Sequence, residues 1–161
     1  MFDISKIIPK SLAVLLWRIP LPKFLKNFII WHTNHHFLVA VLGIVVNDRG
    51  EILLLRHTYR DEPWGIPGGW MNYEQPWDGL KREVYEETGL RISIDKVVKA
   101  SYTSDPHRID ILMCGRFING EFRPSAEVSE YGFFKVGQWP VGMPNKQKVL
   151  IEQVISMQNE I

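Results

Sequence analysis

Three carboxylates, Glu83, Glu86 and Glu87, stand in the run Arg82-Glu83-Val84-Tyr85-Glu86-Glu87-Thr88-Gly89-Leu90, and Glu74 lies eight residues ahead of Arg82. At 3.6 residues per turn, spacings of three and four bring all three onto one helix face. Like charges so placed repel by roughly 0.2–0.5 kcal/mol per pair, so the pattern calls for a positive partner. A hard divalent cation answers the call. Mg²⁺ and Mn²⁺ take oxygen donors, and Mg²⁺ is commonly held by a few carboxylates together with the phosphates of a substrate. The chemistry on offer is metal-assisted work on a phosphate compound.

The elements around these residues follow from local rules. Pro76 suits a first helical turn and Gly89 a left-handed helix end, so a loop over about 67–75 feeds a helix over about 76–88. Trp77, Leu80 and Val84 form a stripe that can face a core. Gly79 falls on the carboxylate face, where a missing side chain leaves room for a substrate or metal, at a cost of about 1 kcal/mol relative to alanine.

Counting Gly68, five residues, Glu74, seven residues, then Arg82-Glu83-apolar-any-Glu86-Glu87-any-Gly89-apolar, the segment 68–90 resembles the Nudix hydrolase box at every constrained position. The resemblance extends over about 37–140. It implies an α/β (α+β mixed) fold, an α/β/α sandwich with a mixed β-sheet, and a substrate in which a nucleoside diphosphate is linked to another group and cut at its pyrophosphate. It also implies that Glu83, Glu86 and Glu87, with the Gly68 carbonyl, hold Mg²⁺ or Mn²⁺, and that Arg82 serves structure by orienting a glutamate through a salt bridge, with Glu86 four residues on or with Glu74 across the loop, Glu74 then supporting the site rather than acting on substrate. The loop departs from the family phrase: Tyr73 precedes Glu74 and the loop is one residue shorter, which leaves Gly68 and Gly69 as candidates for the inward carbonyl.

The general base has several candidates. Glu83 and Glu86 of the box are counted among the catalytic residues with Glu127, which lies in Ser125-Ala126-Glu127-Val128-Ser129-Glu130-Tyr131-Gly132-Phe133-Phe134, a run similar to the family's late acidic segment. Glu130 competes with Glu127, which is alternatively a further ligand. Substrate selectivity is expected from Arg56, His57, Tyr59, Arg60 and Trp64 before the box, Trp70 in its loop, and Tyr102 to Arg108 after it, since aromatics stack on bases and arginines bind phosphate oxygens. Pro106 lies close to where ADP-ribose-cleaving members carry a proline, which tilts the expected substrates towards ADP-ribose and nucleotide sugars. Two rival readings stay open, a nucleotide-binding Nudix-like module that does not cut and an RNA 5′-end pyrophosphohydrolase. The intact set of box carboxylates argues against the first, and the second finds no base-reading surface.

The 161 residues are 45% hydrophobic, enough for one well-packed domain over 37–161 behind an extension over 1–36. A formal charge of +1 speaks against a DNA binder, but Lys6, Lys10, Arg18, Lys23 and Lys26 face only Asp3 within residues 1–47, a local +4. Cys114 is the single cysteine, which excludes an intrachain disulfide and fits a reducing, cytoplasmic compartment. In the extension, apolar runs broken by Pro9, Pro20 and Pro22 are too short to span a membrane and read as helices over about 10–18 and 22–31. They either cap the domain or pair across a homodimer, or else attach peripherally to an anionic lipid surface through Trp17, Phe24, Phe28 and Trp31. His32, His35 and His36 read as a linker rather than a metal site. Further along, strands are expected over 37–46, 51–56, 92–102, 109–118, 121–123 and 132–136, with a closing helix over 144–158 whose apolar residues are 149, 150, 154 and 157.

Overall fold

The computed structural model describes residues 20–159 and divides the chain into two units at Phe37/Leu38. In the first unit α1 spans Lys23–Thr33. The helix expected over 10–18 lies outside the described residues. Helix α1 buries none of its residues, and Phe24, Phe28 and Trp31, spaced four and three apart, are 74%, 58% and 60% exposed.

The second unit is built around the apolar run that becomes β1 (Leu38–Val46). Val41 and Val45 are buried on one face and Ala40 and Ile44 on the other, as befits a strand covered on both sides. β1 runs parallel to β6 (His107–Gly120), from Leu38 opposite Arg108 to Val46 opposite Arg116. β6 in turn pairs antiparallel with β5 (Leu90–Ser104). The other edge of β1 is divided. Its start takes β4 (Gly68–Trp70), whereas its end meets β2 (Ile52–His57) only at Val46 and Ile52, across the turn at Asn47–Gly50. β2 then diverges to pair with β7 (Val128–Phe134) and with the short β3 (Trp64–Gly65). The result is a mixed seven-stranded sheet.

A helix covers each face. Helix α2 (Pro76–Thr88) lays Leu80 and Val84 into a core with Val41, Val45, Leu53, Leu55 and Met113. Helix α3 (Asn145–Asn159) lays Ile151 and Val154 into a second core with Ile44, Leu54, Trp64 and Leu112. This is the sandwich expected from the sequence. Burying each Leu or Ile side chain contributes roughly 1.5–3 kcal/mol.

Several local expectations are corrected. Trp77 is 44% exposed and does not share the buried stripe of Leu80 and Val84. In α3 the inward spacing is Gln147, Ile151 and Val154, with the Gln147 side-chain Oε1 accepting a 2.9 Å hydrogen bond from the Ile66 N–H, while Val149 and Met157 face outward at 52% and 62% exposure. No strand forms over 121–123. There the chain turns to the end of α2 instead, where the Arg123 N–H donates to the Thr88 carbonyl at 2.8 Å.

Candidate active site

The local sequence fixes the helix that carries the carboxylates. Pro76 opens α2, Asp78 puts a negative charge in its first turn, and Gly89 closes it at φ 75°, donating its N–H to the Tyr85 carbonyl. With Leu80 and Val84 turned inward, Glu83, Glu86 and Glu87 are carried towards β4 and its loop.

Arg82 organises this surface. Its guanidinium donates to Glu74 at 2.7 Å and to the Trp70 carbonyl at 3.0 Å, and meets Glu83 and Glu86 each at 2.9 Å. Both of the ion pairs considered from sequence, with Glu74 and with Glu86, are therefore present. Arg82 first, and then the Asn72 N–H, hold the Glu74 carboxyl below its ordinary pKa. The same contacts, Glu74 foremost, keep the guanidinium more firmly protonated. A planar fork that meets three carboxylates and a carbonyl is something lysine cannot supply.

Two glycines make room for these groups, and neither role was visible in the sequence. A side chain at Gly69 would land on the Glu83 carboxylate, so Glu83 lies directly against the bare backbone of β4. At Gly79 a Cβ would stand 3.2 Å from Glu74 Oε1, so this glycine accommodates Glu74 rather than a substrate or a metal, a correction of the sequence expectation.

The strand register separates Gly68 from Gly69. Pro67 accepts from the Gly43 N–H and Met71 donates to the Val39 carbonyl, each at 2.9 Å, which places Gly69 opposite Val41 as the next hydrogen-bonded pair of the ladder. Antiparallel pairing alternates, so the Gly68 carbonyl points away from β1.

Glu87 is the most constrained of the carboxylates. It is 9% exposed and its Oε2 is buried without a hydrogen-bond partner. Burial foremost, then the charges of Glu83 and Glu127, push its pKa up to about 7, with Arg60 opposing. That influence places Glu127 and Arg60 in the same electrostatic neighbourhood as Glu87. Glu130 is elsewhere. It alternates along β7 with Tyr131 and Phe133, which pack into the core beneath α2, so it faces the opposite side of the sheet and pairs in register with Arg56. Among the described residues no three acidic, imidazole or thiol groups converge as a ready cage; Arg82 spans Glu83 and Glu86. The donor set nevertheless fits a hard cation, because all its members are oxygens and one of them is a buried carboxylate oxygen lacking a partner.

The candidate substrate residues are dispersed. Trp64 is 8% exposed and packs edge-on against Phe134 at 5.2 Å, so its ring belongs to the core and is not offered to a base, a second correction. Trp70 is 49% exposed with the Arg108 guanidinium 5.8 Å from its ring centre, and Arg108 is held by Asp110 at 2.6 Å. Asp110 in turn accepts from Thr103 at 3.3 Å. Tyr59 is 61% exposed, with Arg60 over its ring at 5.3 Å. Tyr102 and His107 stack and share a 2.6 Å hydrogen bond, and Arg56 stays exposed at Ser129. His57 is buried with neither ring nitrogen partnered; burial first, then Arg60, pushes its pKa down to about 4.

Comparison with known proteins bears on the family and the fold. A 38%-identical stretch of 60 residues matches a MutT-like protein of Streptomyces ambofaciens, spanning 37% of this chain and 38% of that relative's length. An ADP-ribose pyrophosphatase from Streptococcus suis superposes with a TM-score of 0.59 at 25% identity, over 74% of this chain and 92% of that one. A UDP-X diphosphatase shares the fold with a TM-score of 0.66 at 21% identity, over 92% and 79% of the two chains. The NUDIX domain family model matches residues 36–154, which contain every carboxylate described above. The chain belongs to the Nudix family.

Proposed function

We propose that this protein is a divalent-metal-dependent hydrolase that cleaves the pyrophosphate of a nucleoside diphosphate linked to another group, with ADP-ribose and nucleotide sugars as the favoured substrates. The observation that carries the reading is Glu87, a buried carboxylate with an unpartnered oxygen beside Glu83, Glu86 and Glu127. Such a cluster is costly unless something positive completes it. Glu83, Glu86, Glu87 and the Gly68 carbonyl would hold Mg²⁺ or Mn²⁺, which when bound supplies neutralisation of the diphosphate and acidification of a coordinated water.

The remaining work falls to the chain itself. Arg82 holds Glu83 and Glu86 in place against Glu74 and the Trp70 carbonyl. Glu127 takes the proton from the attacking water; Glu130, on the other face, is not positioned to do so. Arg60, whose positive charge acts on Glu87, would receive phosphate oxygens. Trp70, one residue along β4 from the glycine beneath Glu83, presents its ring on the far face of the sheet with Arg108, so a nucleotide crossing that strand would stack its base there. The ADP-ribose pyrophosphatase among the similar structures supports the substrate class.

The test is product release from ADP-ribose, nucleotide sugars, dinucleoside polyphosphates, nucleoside triphosphates and 5′-triphosphate RNA with Mg²⁺ or Mn²⁺, for the wild type and Glu86→Gln. Metal-dependent turnover of a nucleoside diphosphate derivative that falls at least 100-fold in the variant is expected. Binding without turnover of any compound would favour the non-cutting module.

The extension has its own proposed role, peripheral attachment to an anionic membrane surface. The outward aromatic stripe of α1 and the local charge of +4 support it, whereas two leaders of like charge would repel across a dimer.

A further inference from the structure

We propose that Thr58 is a positioning residue, which clamps the loop bearing Glu127 and so fixes where its carboxylate is held. The inference rests on the reading of Glu127 given above.

The clamp arises where β2 and β7 fall out of step. Their pairing is regular from Ile52 opposite Phe134 to Arg56 opposite Glu130, and then shifts so that His57 opposes Val128 and Ser129 is left over. The extra residue bends β7 away, as bulges do next to active sites. Beyond the shift, Thr58 catches the departing strand. Its N–H donates to the Glu127 carbonyl at 2.9 Å, and its hydroxyl donates to the Ala126 carbonyl at 2.7 Å with the Glu127 carbonyl at 3.4 Å. Ser125 closes the turn from the other side. Its hydroxyl accepts from the N–H groups of Glu127 at 3.3 Å and Val128 at 3.0 Å, and its own N–H donates to the Val128 carbonyl at 2.9 Å.

Glu127 thus sits on a turn whose Ala126 and Glu127 carbonyls are both tied to one exposed threonine. The Glu127 side chain is itself exposed. Without the Thr58 hydroxyl, the Ala126 carbonyl loses its bond, and Thr58 holds the turn to β2 through its backbone N–H alone. A carboxylate whose charge bears on Glu87 would then sample positions farther from it.

Mn²⁺ affinity, read by electron paramagnetic resonance without any substrate, tests this in the wild type, Thr58→Val, Thr58→Ser, Glu127→Gln and the Thr58→Val/Glu127→Gln double variant. Valine matches threonine in shape and leaves the backbone bond intact; serine keeps the hydroxyl. The expected result is a loss of about tenfold in Mn²⁺ affinity for Thr58→Val and for Glu127→Gln, recovery in Thr58→Ser, no further loss in the double variant, and unchanged thermal midpoints. If Glu127→Gln weakens Mn²⁺ but Thr58→Val does not, or if the two losses multiply, the clamp is overturned while the reading of Glu127 stands. If Glu127→Gln leaves Mn²⁺ affinity unchanged, the clamp is overturned, and whether Glu127 accepts the proton is decided separately by the hydrolytic turnover of that variant.

Discussion

At the scale of single residues, the site is a balance between one arginine and a set of carboxylates that would otherwise repel. Arg82 neutralises Glu74, Glu83 and Glu86 by direct contact, and Glu87 is the one left to burial. The sign of the consequence can be worked out. A carboxyl raised to about 7 in the folded protein and ordinary in the unfolded chain binds more protons when folded, so its contribution to stability is greatest below the ordinary value of 4.5 and is lost as pH rises to about 7. Each pH unit in that interval is worth at most about 1.4 kcal/mol. His57 pulls the other way. Lowered to about 4, it disfavours the fold as pH falls below its ordinary 6.5. The two trends overlap, and a variant separates them. In metal-free protein, denaturant titrations at pH 5 and pH 8 should show Glu87→Gln gaining stability relative to wild type at pH 8 and little at pH 5, because His57 is common to both. Equal differences at the two pH values would mean that Glu87 titrates normally.

At the scale of elements, the site depends on how closely α2 approaches β4, and the two adjacent glycines separate fold from function. Gly69 carries no positive φ, so alanine suits its backbone, but the new methyl would displace the Glu83 carboxylate. Gly68→Ala would instead drive a methyl against the Val41 backbone carbonyl and Leu42. Gly69→Ala should therefore lower Mn²⁺ affinity and hydrolysis by about 10–100-fold with a nearly unchanged thermal midpoint, whereas Gly68→Ala should lower the midpoint by several degrees. Melting curves beside Mn²⁺ titrations distinguish the two; a Gly69→Ala protein that melts early would show that the glycine serves packing. These elements were legible to different degrees. Helix α2 could be read from Pro76, Gly89 and the Leu80–Val84 spacing because its signals are local. The division of β1's edge between β4 and β2 could not, since it depends on pairings between distant segments. For the same reason Thr58 gave no signal. Its partners lie 68 and 69 residues away, and nothing about a threonine after a strand announces them. Trp64 misled because an aromatic near the box reads alike whether it faces a base or Phe134.

At the scale of the whole molecule, the chain joins a domain with two buried apolar cores to an extension whose described helix buries nothing. Phe24, Phe28 and Trp31 stand on one side of α1, a contiguous aromatic stripe of a kind that soluble surfaces rarely leave open without a use. Around it in the sequence lie Lys6, Lys10, Arg18, Lys23 and Lys26, and no described helix is long and apolar enough to cross a bilayer. Aromatic rings that enter an interface together with lysines near acidic headgroups give an attachment with a recognisable dependence on conditions, each nearby basic residue adding about 1 kcal/mol and the whole weakening with salt. Sedimentation with phosphatidylserine-containing vesicles should carry down the full chain, release it at high ionic strength, and fail with neutral phosphatidylcholine vesicles. A Phe24→Ser/Trp31→Ser variant should stay in the supernatant while its domain melts unchanged. If the full chain ignores anionic vesicles and light scattering gives twice the mass of one chain, the stripe joins two copies; if it stays monomeric and unbound, neither a lipid nor a second copy covers it.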